Sequence, residues 1–364
     1  MPSARMGRGA ESRSLEGDVE VKMQFDKSGR RFFFLTFAVQ GRRKVLSRVE
    51  EREGMAATVE LSAAGEAVAA LWKGVHGRWP HLTASNRVVM PDHVHLLLIV
   101  DYRQAPGFDI LGWFKQFLRE AAEAVGPMIG EAPERVWEER YWLVLLNAGR
   151  PLASVRRYIR ANPDRWVWKR RQSDFFARRG GLRHFVLDSE FSWTGVGNLT
   201  LLDSPFLFPV RLTRRLTTEE HGKTIERAVE RARRGMIPVC GFLSPGEKAL
   251  EERLREDPCA RWIKTVPHGL ADGFDPSVED SRALAEGRLL VLSSFGEDVE
   301  AFPVRRENCE AMNERNAAMC ARGVAGCDRG RAPCDRGRAP APPCRMGEGP
   351  HAPPGRGGKA GGEE

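Results

Sequence analysis

The stretch RVVMPDHVHLLLIV, residues 87–100, decides how the first half of the chain is predicted to fold. Residues 87–90 and 93–100 are rich in valine, leucine and isoleucine, which suit the pleated surface of a strand. Pro91 and Asp92 between them form a turn dipeptide. We therefore predict two strands here, separated by a tight turn.

The neighbouring segments extend this pair into a larger unit. Residues 31–39 (RFFFLTFAV) and 136–146 (VWEERYWLVLL) predict strands. Apolar spacing predicts helices over 55–72 and 108–125, and a short basic helix over 152–161 that ends before Pro163. The order β-α-β-β-α-β-α is the ferredoxin-like or split βαβ pattern, an α+β fold with an antiparallel sheet. We assign it to a domain at residues 29–198.

The second half of the chain alternates strands and helices in a different way. Strands are predicted at 206–211, 236–242, 262–266 and 288–293, and helices at 219–234, from Ser244 onward, 278–286 and 307–321. This alternation predicts a small α/β, Rossmann-like domain with a parallel sheet at 199–322. Residues 1–28, and the Gly/Pro/Arg-rich tail at 323–364 with its tandem CDRGRAP repeat, are predicted to be disordered.

Composition excludes several classes of protein. The chain has 364 residues, of which 41% are hydrophobic, and its longest apolar runs are far too short to cross a bilayer. The first residues are polar, unlike a secretory signal. The seven cysteines include no CxxC pair, so a disulfide framework or a structural zinc site is not expected. We expect a cytoplasmic, nucleoid-associated protein with no membrane partner.

The positive charge is concentrated in one part of the chain. The formal net charge is +8, and residues 151–183 alone hold ten Lys or Arg against two acids. Residues 251–300 hold twelve acids against six bases. The first stretch suits a polyanion and the second does not.

Two motifs carry candidate chemistry. His93 and His95 lie two apart on a predicted strand, so both imidazoles share one face, as in half of a divalent-metal site. Tyr158 and Asn162 lie four apart, on one face of the basic helix. Taken singly, each motif also fits an ordinary structure: two histidines on a solvated sheet face, or a packed tyrosine with an asparagine closing a helix. Of the three tyrosines, Tyr102 and Tyr141 have no such partner one turn on.

Together these blocks resemble the REP-associated tyrosine transposases, within the insertion-sequence-200-like, single-tyrosine HUH transposases. The matching residues are MPDHVHLLL (90–98), WEERYW (137–142) and YIRANP (158–163). The resemblance covers about residues 30–198. It implies that His93 and His95 bind a metal, that Tyr158 is the nucleophile and that Asn162 helps the site.

The resemblance also implies a reaction. Tyr158 would attack DNA to give a 5′-phosphotyrosine link and a free 3′-hydroxyl, in a transposase or a domesticated relative acting on palindromic repeats. Mg²⁺ or Mn²⁺ suits the mixed imidazole and amide ligands. The partner would be single-stranded DNA near a hairpin, bound by a monomer or a homodimer.

The basic segment supplies the predicted DNA contacts. Arginine and lysine suit the phosphates, and tryptophan can stack on unpaired bases, although Trp166 and Trp168 would serve equally well as core residues. The predicted DNA-binding residues are Arg156, Arg157, Arg160, Arg165, Trp166, Trp168, Lys169, Arg170 and Arg171.

The second domain leaves alternatives open. Residues 242–248 and 285–293 resemble the Rossmann-like domain of the DNA-processing protein A family, but no complete glycine fingerprint is present. An accessory domain is our preferred interpretation, and a nucleotide-binding protein acting through 199–322 is one alternative. The other alternative concerns the whole protein, which would be a non-catalytic DNA-binding regulator that keeps the fold.

Overall fold

The computed structural model describes residues 29–51, 55–146, 152–212 and 217–328. These residues form two compact units. Unit 1 comprises the described residues up to 176 together with 275–285, and unit 2 comprises 177–274 and the described residues from 286 onward. This division lies 22 residues before the predicted boundary at 198 and adds a later segment to unit 1. The predicted disordered segment 1–28 lies outside the described residues, as does most of the predicted tail.

Unit 1 is built on a four-stranded antiparallel sheet and is an α+β structure. The strand order is β4-β5-β1-β6, and every neighbouring pair is antiparallel. A separate antiparallel pair, β2-β3, lies in the β1–α1 connection. The strands are β1 (Arg30–Ala38), β2 (Ser47–Glu50), β3 (Thr58–Leu61), β4 (Leu82–Val89), β5 (His93–Asp101) and β6 (Trp142–Leu146).

Five helices accompany these strands in the described residues up to 176. They are α1 (Ala63–Lys73), α2 (Val75–Arg78), α3 (Ile110–Ile129), α4 (Leu152–Arg171) and α5 (Ser173–Phe176). The side chains of Ser62 and Asp109 accept backbone N–H bonds at the first turns of α1 and α3, which fixes where these helices begin.

The two faces of the sheet differ in chemistry because side chains alternate along a strand. On one face, Leu35 and Phe37 of β1 oppose Leu96 and Val94 of β5, and all four are fully buried. This face packs with α1 and α3 in one core that includes Phe114. The other face carries the polar side chains of Thr36, His93 and His95 among apolar ones such as Phe34, and α4 contacts β4 and β5.

Three predicted elements of unit 1 were wrong in extent. The predicted helix 55–72 is a strand, β3, followed by α1, because Ser62 caps a new helix after the β-branched pair Thr58 and Val59. The predicted strand 136–146 is ordered as a strand only at Trp142–Leu146, after a single bridge between Val39 and Trp137.

The third difference concerns α4, which continues to Arg171 instead of ending before Pro163. A proline removes one backbone donor from a helix, yet the helix persists where packing compensates. Ile159, Pro163 and Val167 are all buried. The helix that carries Tyr158 is therefore about twice as long as predicted.

Unit 2 contains a six-stranded sheet of order β7-β8-β12-β11-β10-β9. The pairs among β9 to β12 are parallel, as predicted, whereas β8 pairs antiparallel with β12 and β7 with β8. The strand β8 belongs to this sheet, although its residues had been assigned to the first domain. The strands are β7 (Arg179–Leu182), β8 (Trp193–Gly197), β9 (Leu207–Pro209), β10 (Ile237–Cys240), β11 (Trp262–Val266) and β12 (Leu289–Ser293).

The helices after residue 217 are α6 (Thr218–Arg233), α7 (Pro245–Glu256), α8 (Val278–Ala285) and α9 (Arg306–Asp328). Helix α8 belongs to unit 1, where it contacts α4. Helix α9 runs past the predicted end at residue 321, so residues 323–328 are helical instead of disordered. Across the described ranges, no helix is both long enough and apolar enough to cross a membrane.

Candidate active site

Strand β5 places His93 and His95 on the same face of the sheet, opposite the buried Val94 and Leu96. Their ring centroids lie 4.7 Å apart with the planes at 73°. His95 is 5% exposed. The predicted pairing of two imidazoles on one strand is thus present in the structure.

Each imidazole is oriented by a bond at Nδ1. His95 Nδ1 lies 2.7 Å from Thr36 Oγ1, on the neighbouring strand in register with it. His93 Nδ1 lies 2.5 Å from Asp92 Oδ1 and donates to that carboxylate. In both rings Nε2 is left as the nitrogen available to another group, and His95 Nε2 is buried with no hydrogen-bond partner among the described residues.

The environment of His95 keeps its ring neutral. Burial lowers its pKa well below the ordinary histidine value, and electrostatic interactions with His93, Arg165 and Arg42 lower it further. A neutral imidazole that donates from Nδ1 carries its lone pair on Nε2. When Nδ1 of His95 donates to Thr36 Oγ1, the lone pair on Nε2 is the one that a metal ligand requires.

Helix α4 brings Tyr158 to this pair. The Tyr158 ring centroid lies 5.2 Å from that of His95 and 5.9 Å from that of Phe34, edge-on in both cases. One turn further on, Asn162 is 7% exposed, and its Nδ2 donates to the Tyr158 carbonyl at 3.0 Å. That bond orients the amide and leaves Oδ1 as its acceptor.

The other two tyrosines lie elsewhere in unit 1. Tyr141 packs edge-on against Phe114, at 5.1 Å between centroids. Tyr102 lies beneath the Arg31 guanidinium, and burial raises the pKa of its phenol. Neither makes a ring contact with the imidazole pair in the part of the chain that the structure describes.

The described His, Cys, Asp and Glu side chains do not by themselves form a complete metal site. Within the described residues, no group of three His, Cys, Asp or Glu side chains could hold a metal ion. The groups that fit are the two Nε2 atoms, one of them buried and unsatisfied, with the Asn162 amide as a neutral oxygen donor. Two imidazoles and an amide are an acceptable set for a divalent cation that also binds phosphate and water.

The predicted DNA-binding residues divide into two groups. Arg157, Lys169 and Arg171 are exposed but form ion pairs with Glu279, Asp275 and Glu51, at 3.1, 2.7 and 2.8 Å. Arg160 and Arg170 are also exposed. Neither of these two forms an ion pair with any described residue.

Three further residues of the predicted DNA-binding set are half-buried. Arg156 is half-buried, with its Nε unpartnered. Trp166 and Trp168 are half-buried as well, and Trp166 packs against the buried group of Val49, Met90 and Val167. Its ring lies 6.3 Å from that of His93.

Arg165 does not occupy the surface position predicted for it. Its side chain is 3% exposed and pairs with Asp275 at 2.8 Å. Its guanidinium carbon lies 4.7 Å from the Tyr158 ring centroid. In this arrangement Arg165 is turned to the tyrosine and not to a phosphate in solvent.

Sequence reasoning missed three residues that shape the site. Asp92 lies inside the quoted motif and was read only as a turn residue. Thr36 would follow from the β1–β5 register once the strands are paired. Asp275 has no local signal, because it is distant in sequence from the helix that it contacts.

Neither a family model nor a curated protein matches this chain. Among solved structures, a candidate transposase from Deinococcus radiodurans R1 is 17% identical, over 43% of this chain and 95% of that one, with a TM-score of 0.25. A REP-associated tyrosine transposase bound to a REP hairpin is 16% identical, over 43% of this chain and 73% of that one, also at 0.25.

A third solved structure is DNA processing protein A from Helicobacter pylori, described for its single-stranded DNA binding mode. It is 23% identical, and the match covers 40% of this chain and 67% of that one, with a TM-score of 0.31.

Proposed function

We propose that unit 1 is a metal-dependent DNA strand transferase that cuts single-stranded DNA through Tyr158. The observation that supports this most is the edge contact between the Tyr158 and His95 rings, which groups a nucleophile with an imidazole pair. We interpret the strand order β4-β5-β1-β6 as the ferredoxin-like arrangement on which such a site would stand.

The proposed reaction is a transesterification. The Tyr158 phenolate oxygen attacks the scissile phosphorus, a new phosphotyrosine bond forms, and the bond from phosphorus to the 3′-oxygen breaks. The phenol proton is lost to solvent, and the departing 3′-oxygen takes one up. The products are a 5′-phosphotyrosine and a free 3′-hydroxyl, and attack by another 3′-hydroxyl rejoins DNA without ATP.

His93, His95 and Asn162 are the residues that would hold Mg²⁺ or Mn²⁺. A bound divalent cation would polarise the phosphate and offset charge on its non-bridging oxygens. The protein's own contribution is orientation. Thr36 and Asp92 contact the two rings at Nδ1 and fix their orientation. Both Nε2 atoms are therefore in position before the substrate binds.

Single-stranded DNA is the proposed substrate because the helix bearing Tyr158 also bears the exposed Arg160 and Arg170. An unpaired strand lets a phosphate approach a half-buried phenol. The half-buried Trp166 and Trp168 are candidates for stacking on its bases.

The test uses purified full-length protein with hairpin single-stranded DNAs labelled at either end, in Mn²⁺ or Mg²⁺. A covalent adduct on a denaturing gel is expected with 3′-labelled DNA, while the 5′-labelled fragment is released. Tyr158→Phe and His93→Ala should both abolish the adduct, and Tyr141→Phe should retain it. DNA binding without an adduct across many hairpins would instead support a non-catalytic regulator.

A further inference from the structure

Arg165 is a buried cation that contacts the proposed nucleophile directly. Its side chain is 3% exposed, although it follows Tyr158 by only seven residues on a basic helix. The guanidinium carbon stands 4.7 Å from the Tyr158 ring centroid, within the range of a cation–π contact. This contact lies on the ring, whereas the imidazole of His95 approaches from another element.

The guanidinium is held by a segment remote in sequence. Arg165 Nε donates to Ser281 Oγ at 3.2 Å, and Nη2 donates to Asp275 Oδ1 at 2.8 Å and to the Pro276 carbonyl at 3.0 Å. Ser281 is fully buried, and its hydroxyl donates to the Ser277 carbonyl at 2.7 Å. Residues 275–281 thus hold the planar guanidinium of Arg165 in one orientation.

The arrangement exceeds what a simple ion pair requires. Asp275 already accepts a bond from the exposed Lys169, at 2.7 Å, so the carboxylate does not need Arg165 for neutralisation. Three directed bonds fix the plane of the guanidinium, which a lysine ammonium in the same place could not reproduce. A fixed plane matters where it constrains a neighbouring ring.

We propose that Arg165 is a positioning residue for Tyr158, and that residues 275–281 hold it in place. The proposal rests on the proposed function: Arg165 keeps the phenol ring against His95, so that the nucleophile is pre-oriented when DNA binds. Arg165 then acts on the rate of attack and not on the affinity for DNA.

The expected kinetic signature follows from orientation. Misplacing a reacting group by about 1 Å can reduce the rate by about 100-fold. Arg165→Lys keeps the charge but loses the planar fork, and should lower the single-turnover rate of adduct formation at saturating DNA by about 10- to 100-fold. The dissociation constant for the same DNA should stay within about twofold, because the buried side chain lies away from solvent.

A spectroscopic test measures the contact without relying on activity. The chain has only three tyrosines, so full-length protein labelled with 3-fluorotyrosine should give three ¹⁹F resonances. Tyr158→Phe assigns one of them. Arg165→Lys should move the Tyr158 resonance and leave the other two unchanged, and Asp275→Asn should move it in the same direction by less.

Two matched controls are available. Arg31 lies 4.7 Å from the ring of Tyr102, the same distance as in the proposed contact. Arg31→Lys should therefore move only the Tyr102 resonance and leave adduct formation unchanged. Glu279→Gln removes the ion pair with Arg157 from the same segment without touching Arg165, so the Tyr158 resonance should not move.

The outcomes separate the two proposals. A Tyr158 resonance that is unmoved in both Arg165→Lys and Asp275→Asn would overturn the contact. A moved resonance with an unchanged adduct rate would overturn the positioning role and leave the proposed function standing. No adduct from the unmodified protein would overturn the proposed function and the positioning role together. A moved resonance and a slower adduct at constant DNA affinity would support both.

Discussion

His95 in unit 1 and Glu247 in unit 2 are both buried, titratable side chains, at 5% and 7% exposure, but their surroundings differ. Glu247 lies in the first turn of α7, and its carboxylate accepts bonds from the backbone N–H groups of Leu212, Leu243 and Ser244. The Nε2 of His95 has no hydrogen-bond partner in the part of the chain that the structure describes.

The difference shows which buried group still has a free atom for a ligand and which one is used to hold the backbone. A buried polar atom without a partner costs free energy, and a bound ligand at His95 Nε2 would recover that cost. The first turn of α7 is where a Rossmann-like domain would place a phosphate. Here the Glu247 carboxylate lies in that turn and accepts bonds from the N–H groups of Leu243 and Ser244 just before it.

The experiment with the largest expected effect tests whether one chain supplies both Tyr158 and the imidazole pair of an active site. Helix α4 contacts β4 and β5 of its own chain, so Tyr158 and His93 should act in the same molecule. Mixing Tyr158→Phe with His93→Ala protein should therefore give no covalent adduct on a denaturing gel. Recovery of the adduct toward about a quarter of the normal yield would show that the tyrosine helix is exchanged between two chains, because half of the dimers would be mixed and each would hold one intact site of two.

A second test removes the unsatisfied nitrogen. His95→Ala should abolish Mn²⁺ binding measured by calorimetry or by electron paramagnetic resonance on the full-length protein. Thr36→Val keeps the shape but removes the Nδ1 partner, and should weaken Mn²⁺ binding by about 10- to 100-fold. Unchanged Mn²⁺ affinity in His95→Ala would mean that the imidazole pair is structural.

A third test addresses the satisfied carboxylate. Glu247→Ala leaves three backbone donors without an acceptor and should lower the free energy of unfolding by about 1–3 kcal/mol. Urea denaturation measures this change, and Mn²⁺ binding serves as the control that should not respond. The Glu247 contacts indicate that unit 2 does not bind a nucleotide phosphate at α7. Tight binding of free nucleotides to the unmodified protein in equilibrium dialysis would contradict this.

The smallest expected effect is a pH dependence at Asp275. Burial raises the pKa of this carboxyl, but the hydrogen bonds and charges of Arg165 and Lys169 outweigh it, so the pKa lies below the ordinary value. The stabilisation is therefore present above the ordinary aspartate pKa of about 3.9 and is lost as the pH falls through the lower folded value.

Urea denaturation of the unmodified protein and of Asp275→Asn at several pH values checks this. The difference in unfolding free energy between them should be constant from pH 8 to pH 5 and should shrink below about pH 4. A difference that already declines near pH 6 would contradict the direction of the pKa shift.

The local sequence pattern predicted those features that depend only on the spacing of residues within one strand or helix. The alternation along β5 placed His93 and His95 on one face and Val94 on the other, and the structure has all three there. The four-residue spacing of Tyr158 and Asn162 likewise placed both on one helical turn, where their hydrogen bond forms. These features depend on periodicity, which a single sequence contains.

Features that depend on distant partners could not be predicted in this way. Pro163 ended the predicted helix because proline is a local breaker, whereas burial of Ile159 and Val167 sustains α4 beyond it. Arg165 was predicted to contact DNA because its neighbours are basic. Its burial depends on Asp275, which only the folded chain brings to it.

Tyr158 is the proposed nucleophile of the imidazole-bearing face. The most direct measurement is tandem mass spectrometry of the proteolysed covalent complex, formed with hairpin DNA in Mn²⁺ and trimmed with nuclease. We predict a single modified residue, Tyr158, carrying a nucleotide through its 5′-phosphate. A nucleotide on Tyr102 or Tyr141, or a 3′-phosphate linkage at any tyrosine, would contradict the account.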